Sequence, residues 1–363
     1  MQLIIGTYTE HLPHVNGKAD GILTAGFDPG CGAIGPVATA ARARNPSYLT
    51  VSPDGRRLYA VIEAGSFAGQ EGSGGVAAYA RDPAGGLTLL NAAATGGPDP
   101  CFVALDRTGR FVLVANYGAE AGSVAAWEVG PDGELGPLAS HVRHHGSGPH
   151  PGRQAGPHAH MIASDPVTGA VLATDLGADA IVAYALDAAG HLEPHAAGRL
   201  AAAPGAGPRH LAFHPGGEYL FVACELDNTI VALRRAGRGW ALAGQVSTRP
   251  PGASGPSLAA AVRVTPSGRH VLASNRGDDT IAVYRFAAGA PGPALSPLGH
   301  VAAPGAAPRD LIVSPDGRHV LVACQDGDVL ASYPFDDAAG TLGEPRCVAA
   351  PTPACLALAP AGE

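Results

Sequence analysis

Lysine is almost absent from this chain, and charged residues of either sign are sparse. Lys18 is the one lysine among 363 residues, charged residues make up 15% of the chain, and the formal net charge is −8 at pH 7. Because Lys18 lies in an irregular segment, a mechanism based on a lysine nucleophile or Schiff base is disfavoured. No basic run occurs, so we expect neither a nucleic-acid partner nor a membrane partner.

The sequence also lacks the patterns that mark membrane insertion, export or disulfide cross-linking. No stretch approaches the roughly 18 to 20 unbroken apolar residues of a membrane span, and the opening MQLIIGTYT does not resemble a signal peptide. No C-x-x-C pair occurs among the six cysteines, which are Cys31, Cys101, Cys224, Cys324, Cys347 and Cys355. Several fall inside strand patterns, so we interpret them as reduced core residues and expect a cytoplasmic protein.

Glycine, proline and short apolar runs are abundant. The 51 Gly and 33 Pro favour many short strands over long helices. One phrase recurs, in which an apolar strand, a turn such as P-x-G and a second apolar strand follow one another. Its seven copies begin at Ser47, Cys101, His160, His210, Ala260, Asp310 and Ala354. A third strand and a weaker fourth strand follow the second.

Four antiparallel strands repeated at intervals of roughly 50 residues are typical of propeller blades. We therefore predict an all-β fold, a seven-bladed β-propeller forming a single domain over 1–363. The final ACLALAPAGE supplies an innermost strand and the initial QLIIGTYT supplies the second strand of the same blade. This blade is predicted to close the ring and so remove open sheet edges. Alternating, β-branched runs disfavour the alternative, a helical solenoid.

Polar residues concentrate where the first strand of a repeat begins and where its second strand ends. Because these strands are antiparallel, both positions lie at one end of the ring, beside the central channel. Charged side chains there cost desolvation energy unless they are paired or bind a ligand. These positions hold Thr7, Tyr8, Asn45, Glu63, Asp99, Asn116, Tyr117, His158, His160, Asp175, Arg209, Glu225, Asn275, Arg276, Arg309 and Gln325. We expect one lobed pocket; the alternative is an ion network of Arg209, Glu225 and Arg276 that joins blades.

A histidine-rich stretch, 141–160, raises the question of a metal site. Its Gly and Pro content and irregular spacing favour a long loop beside the channel. The weaker alternative is a metal site formed by His141, His144, His145 and His150. A second alternative is a cation such as Ca²⁺ held by Glu63, Asn116 and Asp175. We predict no metal and no cofactor.

Common catalytic motifs are missing. The sequence contains no G-x-S-x-G, no H-E-x-x-H and no G-x-x-x-x-G-K-[ST]. Histidine and glutamate remain for proton transfer near neutral pH. Arginine remains for bidentate binding of carboxylate or phosphate.

At these positions the chain resembles the seven-bladed lactonase family, which includes bacterial 6-phosphogluconolactonases of the propeller type and fungal carboxy-cis,cis-muconate cyclases. The resemblance covers essentially the whole chain. It is carried by GTYT at Gly6, NPSYLTVSPDGRRLYAVIE from Asn45, FVLVANYGAEAGSV from Phe111, RQAGPHAH from Arg153, DLGAD from Asp175, PGAGPRHLAFHPGGEYLFVACEL from Pro204 and SNRGDDTIAVY from Ser274. The ordered combination of R-Q-x-x-P-H-x-H, G-P-R-H, E-L and N-R is specific, whereas S-P-D-G alone is not.

The resemblance implies an active site with one histidine, two arginines and one glutamate. On the matching phrases these are His160, Arg209, Glu225 and Arg276, with His158 as the competing candidate for the histidine. The further substrate-binding residues that we expect are His158, Arg309, Asn275, Glu63, Asn116, Asp175 and Gln325. The residues that would bind a phosphate stay undefined, with Arg309 and Arg153 as candidates.

The first hypothesis is a cofactor-independent lactonase acting on 6-phosphogluconolactone, in the pentose phosphate pathway, or on a close sugar lactone. Glu225 or His160 would activate a water, while Arg276 and Arg209 would hold the anionic group and stabilise the oxyanion. The alternatives are a lactonising cycloisomerase acting on a carboxylated muconate and a non-catalytic propeller scaffold. We expect a small-molecule sugar lactone as partner, and a monomer or a weak homodimer.

Overall fold

The computed structural model describes residues 1–82, 84–118, 122–289 and 294–360, which form seven antiparallel blades around a central channel. Each blade has four strand positions, and in two blades the outermost strand is split in two. This arrangement confirms the predicted all-β, seven-bladed β-propeller. Across the same residues, no helix is long and apolar enough to cross a membrane.

The blades are numbered from the one that contains the N-terminal strand. From blade 1 to blade 7, the innermost strands are Pro353–Ala359, Leu49–Val51, Pro100–Leu105, Ala159–Ser164, Pro208–Phe213, Leu258–Val264 and Pro308–Val313. The second strands are Gln2–Thr7, Arg57–Ile62, Phe111–Asn116, Val171–Asp175, Tyr219–Cys224, His270–Arg276 and His319–Cys324.

The outer half of each blade is more exposed. The third strands are Gly21–Asp28, Gly75–Arg81, Ser123–Val129, Ala180–Leu186, Thr229–Ala236, Thr280–Phe286 and Val329–Asp336. The outermost strands are Ala33–Ile34 with Ala38–Arg42, Leu87–Ala94, Leu135–Arg143, Leu192–Ala201, Gly239–Ser247, Leu295–Ala302, and Thr341–Leu342 with Arg346–Ala349. Two short hairpins project from loops: His11–Leu12 with Val15–Asn16, and Ser66–Phe67 with Gln70–Glu71.

Blade 1 joins the two ends of the chain, as the sequence predicts. Pro353–Ala359 pairs antiparallel with Gln2–Thr7, and Ile4 lies opposite Ala357. The end of the terminal phrase, 361–363, lies outside the described residues. All seven innermost strands contact their neighbours in turn, from blade 1 round to blade 7 and back to blade 1. The ring is therefore closed by strand pairing.

The core lies between neighbouring blades. Second strands such as Phe111–Asn116 are buried along their whole length, because the two neighbouring blades cover the two faces of each blade. Trp127 of blade 3, which is 1% exposed, packs in one cluster with Tyr59 of blade 2. Burying one large apolar side chain stabilises a fold by roughly 1.5–3 kcal/mol. The repeated packing between blades thus fixes the positions of the strand ends around the channel.

The six cysteines are all free, but they do not all belong to the core. Four are buried, whereas Cys31 and Cys347 are exposed. Cys31 lies in the turn between Gly21–Asp28 and Ala33–Ile34, and Cys347 lies on an outermost strand, where apolar runs do not imply burial. The interpretation as reduced core residues holds for the four buried thiols and is wrong for these two.

Candidate active site

A cavity of about 580 Å³ lies at the end of the channel where the second strands end. Its size falls within the range of roughly 300–1,000 Å³ that is usual for small-molecule sites. The lining residues are His14, Glu63, Asp99, Cys101, Tyr117, Arg153, His158, His160, Glu225, Leu258, Arg276, Ala307, Arg309, Gln325 and Asp326. One polar pocket at this mouth is what the strand ends predict.

Two blade positions supply most of these residues. The first is the end of the second strand, which places Glu63, Tyr117, Glu225, Arg276 and Gln325 at the mouth. The second is the second residue of the innermost strand. In blades 3, 4, 5 and 7 this residue is the extra, unpaired residue of a β-bulge: Cys101, His160, Arg209 and Arg309. All of these except Arg209 line the cavity. A bulge redirects the side chain of its extra residue, and bulges are common beside active sites.

Glu225 lies at the centre of an arginine cluster. Arg153 donates to its Oε1 from Nη2 at 2.6 Å, and Arg276 donates to its Oε2 from Nη2 at 2.6 Å. Arg209 donates to the same Oε2 from Nε at 2.9 Å. The three guanidinium groups come from the loop before blade 4, from blade 5 and from blade 6. Three cations share one carboxylate here, so this cluster alone carries two more positive charges than negative ones.

The charges in this arginine cluster shift the pKa values of its own members. Burial alone would raise the pKa of Glu225, but Arg276, Arg209 and Arg153 hold that pKa well below its usual range. Burial, together with the charge of Arg276, lowers the pKa of Arg209 to about 9. At neutral pH Glu225 is therefore a carboxylate and Arg209 a cation. A carboxylate with so low a pKa is a weak base.

Glu63, in blade 2, is surrounded by hydroxyl groups. The Tyr8 hydroxyl lies 2.9 Å from both carboxylate oxygens and donates to them, and the Ser47 hydroxyl donates to Oε2. Arg309 donates from Nη2 to the Tyr8 hydroxyl at 2.8 Å. Burial raises the pKa of Glu63, although Arg309 and the hydrogen bonds from Ser47 and Tyr8 act in the opposite direction.

His160 is buried between the cavity and the packed interior of the channel. Its ring meets Tyr117 edge to face at 5.7 Å and His210 at 5.3 Å. Burial, with the nearby charge of Arg209, lowers the pKa of His160 well below its usual range, so the imidazole is neutral. Its Nδ1 has no hydrogen-bond partner among the described residues.

His158 is oriented differently from His160. Its ring stacks on Tyr117 at a centroid distance of 4.4 Å, and its Nδ1 lies 2.8 Å from the Tyr117 carbonyl oxygen, to which it donates. Both histidines line the cavity. Cavity lining therefore does not decide which of the two is the active-site histidine, and the assignment of His160 stays a prediction.

Several predicted residues reach the cavity and others do not. Those that line it are His158, His160, Glu63, Glu225, Arg276, Arg309 and Gln325. Arg209 is 2% exposed and lies behind Glu225, where Nη1 donates to the Ala260 carbonyl oxygen at 2.9 Å. In this geometry Arg209 supports Glu225, and its direct contact with a substrate stays a prediction.

Asn116, Asp175 and Asn275 lie outside the cavity lining, so their role in substrate binding stays a prediction without geometric support. All three are 0% exposed, and none lines the cavity. Asn116 and Asn275 donate to the carbonyl oxygens of Thr95 and Thr248. Asp175 accepts from His144 Nδ1 at 2.7 Å and from the backbone of His158 at 2.8 Å. Side chains at strand ends can turn outward between blades to satisfy loop backbone, and the sequence gives no sign of which way they turn.

Five lining residues escaped the sequence argument: the apolar Leu258 and Ala307, and the three described next. His14 lies in the short hairpin after Gln2–Thr7, an irregular segment with no motif. Cys101 reads as a core thiol, but the bulge in blade 3 turns it toward the cavity. Asp326 follows Gln325 immediately, and extending the strand-end rule by one residue would have found it.

The residues proposed for a metal site do not converge. Within the described ranges, no three His, Cys, Asp or Glu side chains are placed to hold a metal ion. His144 is already engaged, since its Nδ1 contacts Asp175 and its Nε2 lies 2.8 Å from the Tyr184 hydroxyl. Asp175 is 0% exposed and is not among the residues that line the cavity with Glu63. The ion alternative that joins Glu63, Asn116 and Asp175 is therefore contradicted by the geometry.

Known proteins resemble the chain over most of its length. The family model described as "Lactonase, 7-bladed beta-propeller" matches residues 2–358. A 6-phosphogluconolactonase of Bacillus subtilis (strain 168) is 38% identical over 284 residues, which cover 77% of this chain and 76% of the relative. A 6-phosphogluconolactonase of Formosa agariphila is 27% identical over 314 residues, 86% of each chain. The solved periplasmic gluconolactonase of Pseudomonas aeruginosa is 31% identical, has a TM-score of 0.91 and matches over 99% of both chains.

Proposed function

Because the chain belongs to the family of seven-bladed β-propeller lactonases, we propose that this lactonase hydrolyses 6-phosphogluconolactone or a closely related anionic sugar lactone. The observation that carries the proposal is the arginine cluster, in which Arg153, Arg209 and Arg276 share the single charge of Glu225. Two uncompensated positive charges on one wall of a cavity favour an anionic ligand.

Arg153 and Arg276 are placed to bind the anionic group. Each donates to Glu225 through Nη2, and neither has a hydrogen bond from Nη1 within the described part of the chain. The Nε of Arg276 is buried without a partner there. Guanidinium groups bind phosphate and carboxylate in a forked, bidentate geometry, so the two Nη1 groups suit a phosphate or the developing oxyanion.

Glu225 is a poor candidate for the general base. Its three guanidinium partners stabilise the ionised form, and none of them can accept a hydrogen bond from a protonated carboxyl. We therefore assign Glu225 the task of fixing the arginines. The low pKa of His160 makes its neutral imidazole a weak proton acceptor. We therefore assign it an orienting role, in which it hydrogen-bonds the water or the lactone carbonyl.

We also propose that the enzyme works in the cytoplasm, in the pentose phosphate pathway. All six cysteines are free thiols, which suits a reducing compartment. The periplasmic relative from Pseudomonas aeruginosa makes the compartment worth measuring. Cell fractionation of the native host, with antibody detection, is expected to place the protein in the cytoplasmic fraction; recovery in the periplasmic or secreted fraction would reject this assignment.

The substrate is tested by proton release in a pH-stat. The purified protein is mixed with freshly generated 6-phosphogluconolactone and with unphosphorylated gluconolactone, and each rate is corrected for the spontaneous reaction. A carboxymuconate is tested separately by its ultraviolet absorbance, because its cyclisation takes up a proton and does not release one. We expect kcat/KM to be highest for the phosphorylated lactone and unchanged by a chelator. Equal or higher kcat/KM for gluconolactone would reject the phosphorylated substrate, and turnover of the muconate alone would favour the cycloisomerase.

A further inference from the structure

We propose that Glu63 is the general base of the reaction: it takes a proton from the attacking water and returns it to the ring oxygen of the lactone. Glu63 follows the second strand of blade 2, across the ring from Glu225 in blade 5, and both carboxylates line the same cavity. The inference rests on the proposed lactone hydrolysis, but it does not depend on which lactone is preferred.

The hydrogen-bond partners of Glu63 can tolerate both of its protonation states. Tyr8 and Ser47 reach it through hydroxyl groups, which can donate to a carboxylate and can rotate to accept from a carboxylic acid. Within the described residues, no arginine lies within 4.0 Å of Glu63. Glu225, in contrast, has arginine partners that can only donate. Of the two glutamates in the cavity, Glu63 is thus the one that can gain and lose a proton without leaving an unsatisfied donor.

One oxygen of Glu63 is available to a water. Oε1 accepts from the Tyr8 hydroxyl, whereas Oε2 accepts from both Tyr8 and Ser47. His14 Nε2 lies 3.8 Å from Oε1, beyond hydrogen-bond distance, and its side chain is 52% exposed. A water in the cavity can therefore approach Oε1 without displacing an existing hydrogen bond.

Groups from four other blades face Glu63 and set its basicity. These are Tyr8 and His14 from blade 1, Asp99 and Cys101 from blade 3, Arg209 from blade 5 and Arg309 from blade 7. Burial raises the pKa of Glu63, Arg309 opposes this most strongly, and the result lies above the ordinary value. Burial and the charge of Glu63 also raise the pKa of Asp99. A base with a pKa closer to the working pH transfers protons more effectively.

Tyr8 is the positioning residue for this base. Its side chain is 0% exposed, its hydroxyl accepts from Arg309 at 2.8 Å, and the Arg309 guanidinium carbon lies 5.2 Å from the centre of its ring. These contacts from blade 7 hold the phenol against Glu63 in blade 2. The hydrogen bond that the Tyr8 hydroxyl donates to Glu63 lowers the pKa of Glu63, so loss of that hydroxyl raises this pKa.

The proton balance of the reaction closes with Glu63 alone. As the water oxygen bonds to the lactone carbonyl carbon, Glu63 takes one of the water protons and the carbonyl oxygen becomes an oxyanion beside the arginines. When the carbonyl re-forms, the bond from its carbon to the ring oxygen breaks. Glu63 then returns its proton to the ring oxygen, which becomes a hydroxyl. The product carboxylic acid loses its own proton to solvent, and this is the proton that the pH-stat records.

The decisive variant is Glu63→Gln, assayed on whichever lactone the wild type opens fastest. General-base catalysis is worth roughly 10²- to 10⁴-fold, so kcat is expected to fall by at least about 100-fold while KM changes only a few-fold. The acidic limb of the pH profile of kcat/KM is also expected to disappear. The matched control is Glu71→Gln, because Glu71 is an exposed glutamate in the same blade. This control is expected to keep wild-type activity. Wild-type kcat and an unchanged acidic limb in Glu63→Gln would overturn the proposal and leave lactone hydrolysis standing.

Tyr8→Phe supplies a second readout that does not depend on the folding of the first variant. Removal of the hydroxyl raises the pKa of Glu63, so the acidic limb of kcat/KM is expected to move to higher pH. A purely structural role for the pair would lower activity without moving that limb, and this result would reject Glu63 as the base. A lactone preference that contradicts the phosphorylated substrate would reject only the substrate assignment.

Discussion

The two glutamates of the cavity have the same side chain and opposite surroundings. Glu225 is held by Arg153, Arg209 and Arg276, and its pKa lies well below the usual range despite complete burial. Glu63 is also buried but is held by two hydroxyl groups, and burial raises its pKa. Burial alone thus does not decide how a carboxylate titrates; its hydrogen-bond partners do.

The contrast suggests a division of labour between the two walls. An ion-paired carboxylate stays charged and fixes cations in place, whereas a hydroxyl-bound carboxylate with a raised pKa can exchange a proton. Pairs of titratable groups whose environments separate their pKa values are a recurring feature of acid–base sites. In this chain the difference originates in which blades contribute arginine beside each glutamate.

The largest expected effect is on stability, from Glu225→Gln. Removing one partner from a buried ion pair leaves uncompensated charge, so the free energy of unfolding is expected to fall by about 3–5 kcal/mol. Urea unfolding followed by the fluorescence of the buried Trp127 measures it, with the exposed Glu218→Gln of the same blade as control. Because the pKa of Glu225 is lowered in the folded protein, the loss should persist above the ordinary glutamate pKa and shrink as the pH falls below it. An unchanged unfolding midpoint would contradict the assignment of Glu225 as the anchor of the arginines.

The second expected effect is on substrate binding, from Arg153→Ala. Hydrogen bonds to charged groups contribute roughly 1.5–3 kcal/mol, so kcat/KM for the phosphorylated lactone is expected to fall about 10- to 100-fold, mainly through a higher KM. The loss should be smaller for gluconolactone, which lacks the charge. Steady-state kinetics of Arg153→Ala beside the exposed Arg143→Ala test this. Equal losses on both lactones would show that Arg153 does not read the anionic group.

The smallest expected effect comes from Glu63→Gln. It should raise stability near neutral pH, whereas Glu225→Gln should lower it. The pKa of Glu63 is higher in the folded protein than in the unfolded chain, so its contribution to stability is present at low pH and is lost as pH rises through the folded pKa. Glu63→Gln mimics the protonated form and is expected to be more stable than wild type at pH 8. Urea unfolding at pH 4.5, 6 and 8 measures the difference, which should vanish toward the lowest pH. A pH-independent loss of stability would contradict the raised pKa.

The site was predictable from sequence wherever strand ends dictate position. Arg276 ends a second strand, Glu63, Glu225 and Gln325 each follow one directly, and all four reach the cavity. The same rule fails for Asn116, Asp175 and Asn275, which also end second strands but satisfy loop groups between blades. Alternation along a strand fixes the face of a side chain only within regular pairing, and these residues lie where pairing ends.

The sequence by itself determined the number of blades, the closure of the ring by Pro353–Ala359 and Gln2–Thr7, and the end of the channel at which polar residues gather. These follow from the period of the repeat and from the direction of antiparallel strands, which are local properties. Only the tertiary structure decided that Arg209 lies behind Glu225, that His160 and Arg309 are the extra residues of bulges, and that Glu63 has hydroxyl partners. Some of these contacts join neighbouring blades, as Tyr8 does with Glu63 and Arg209 with Ala260, and the others depend on bulges and side-chain rotations inside a blade. No spacing within one repeat encodes them.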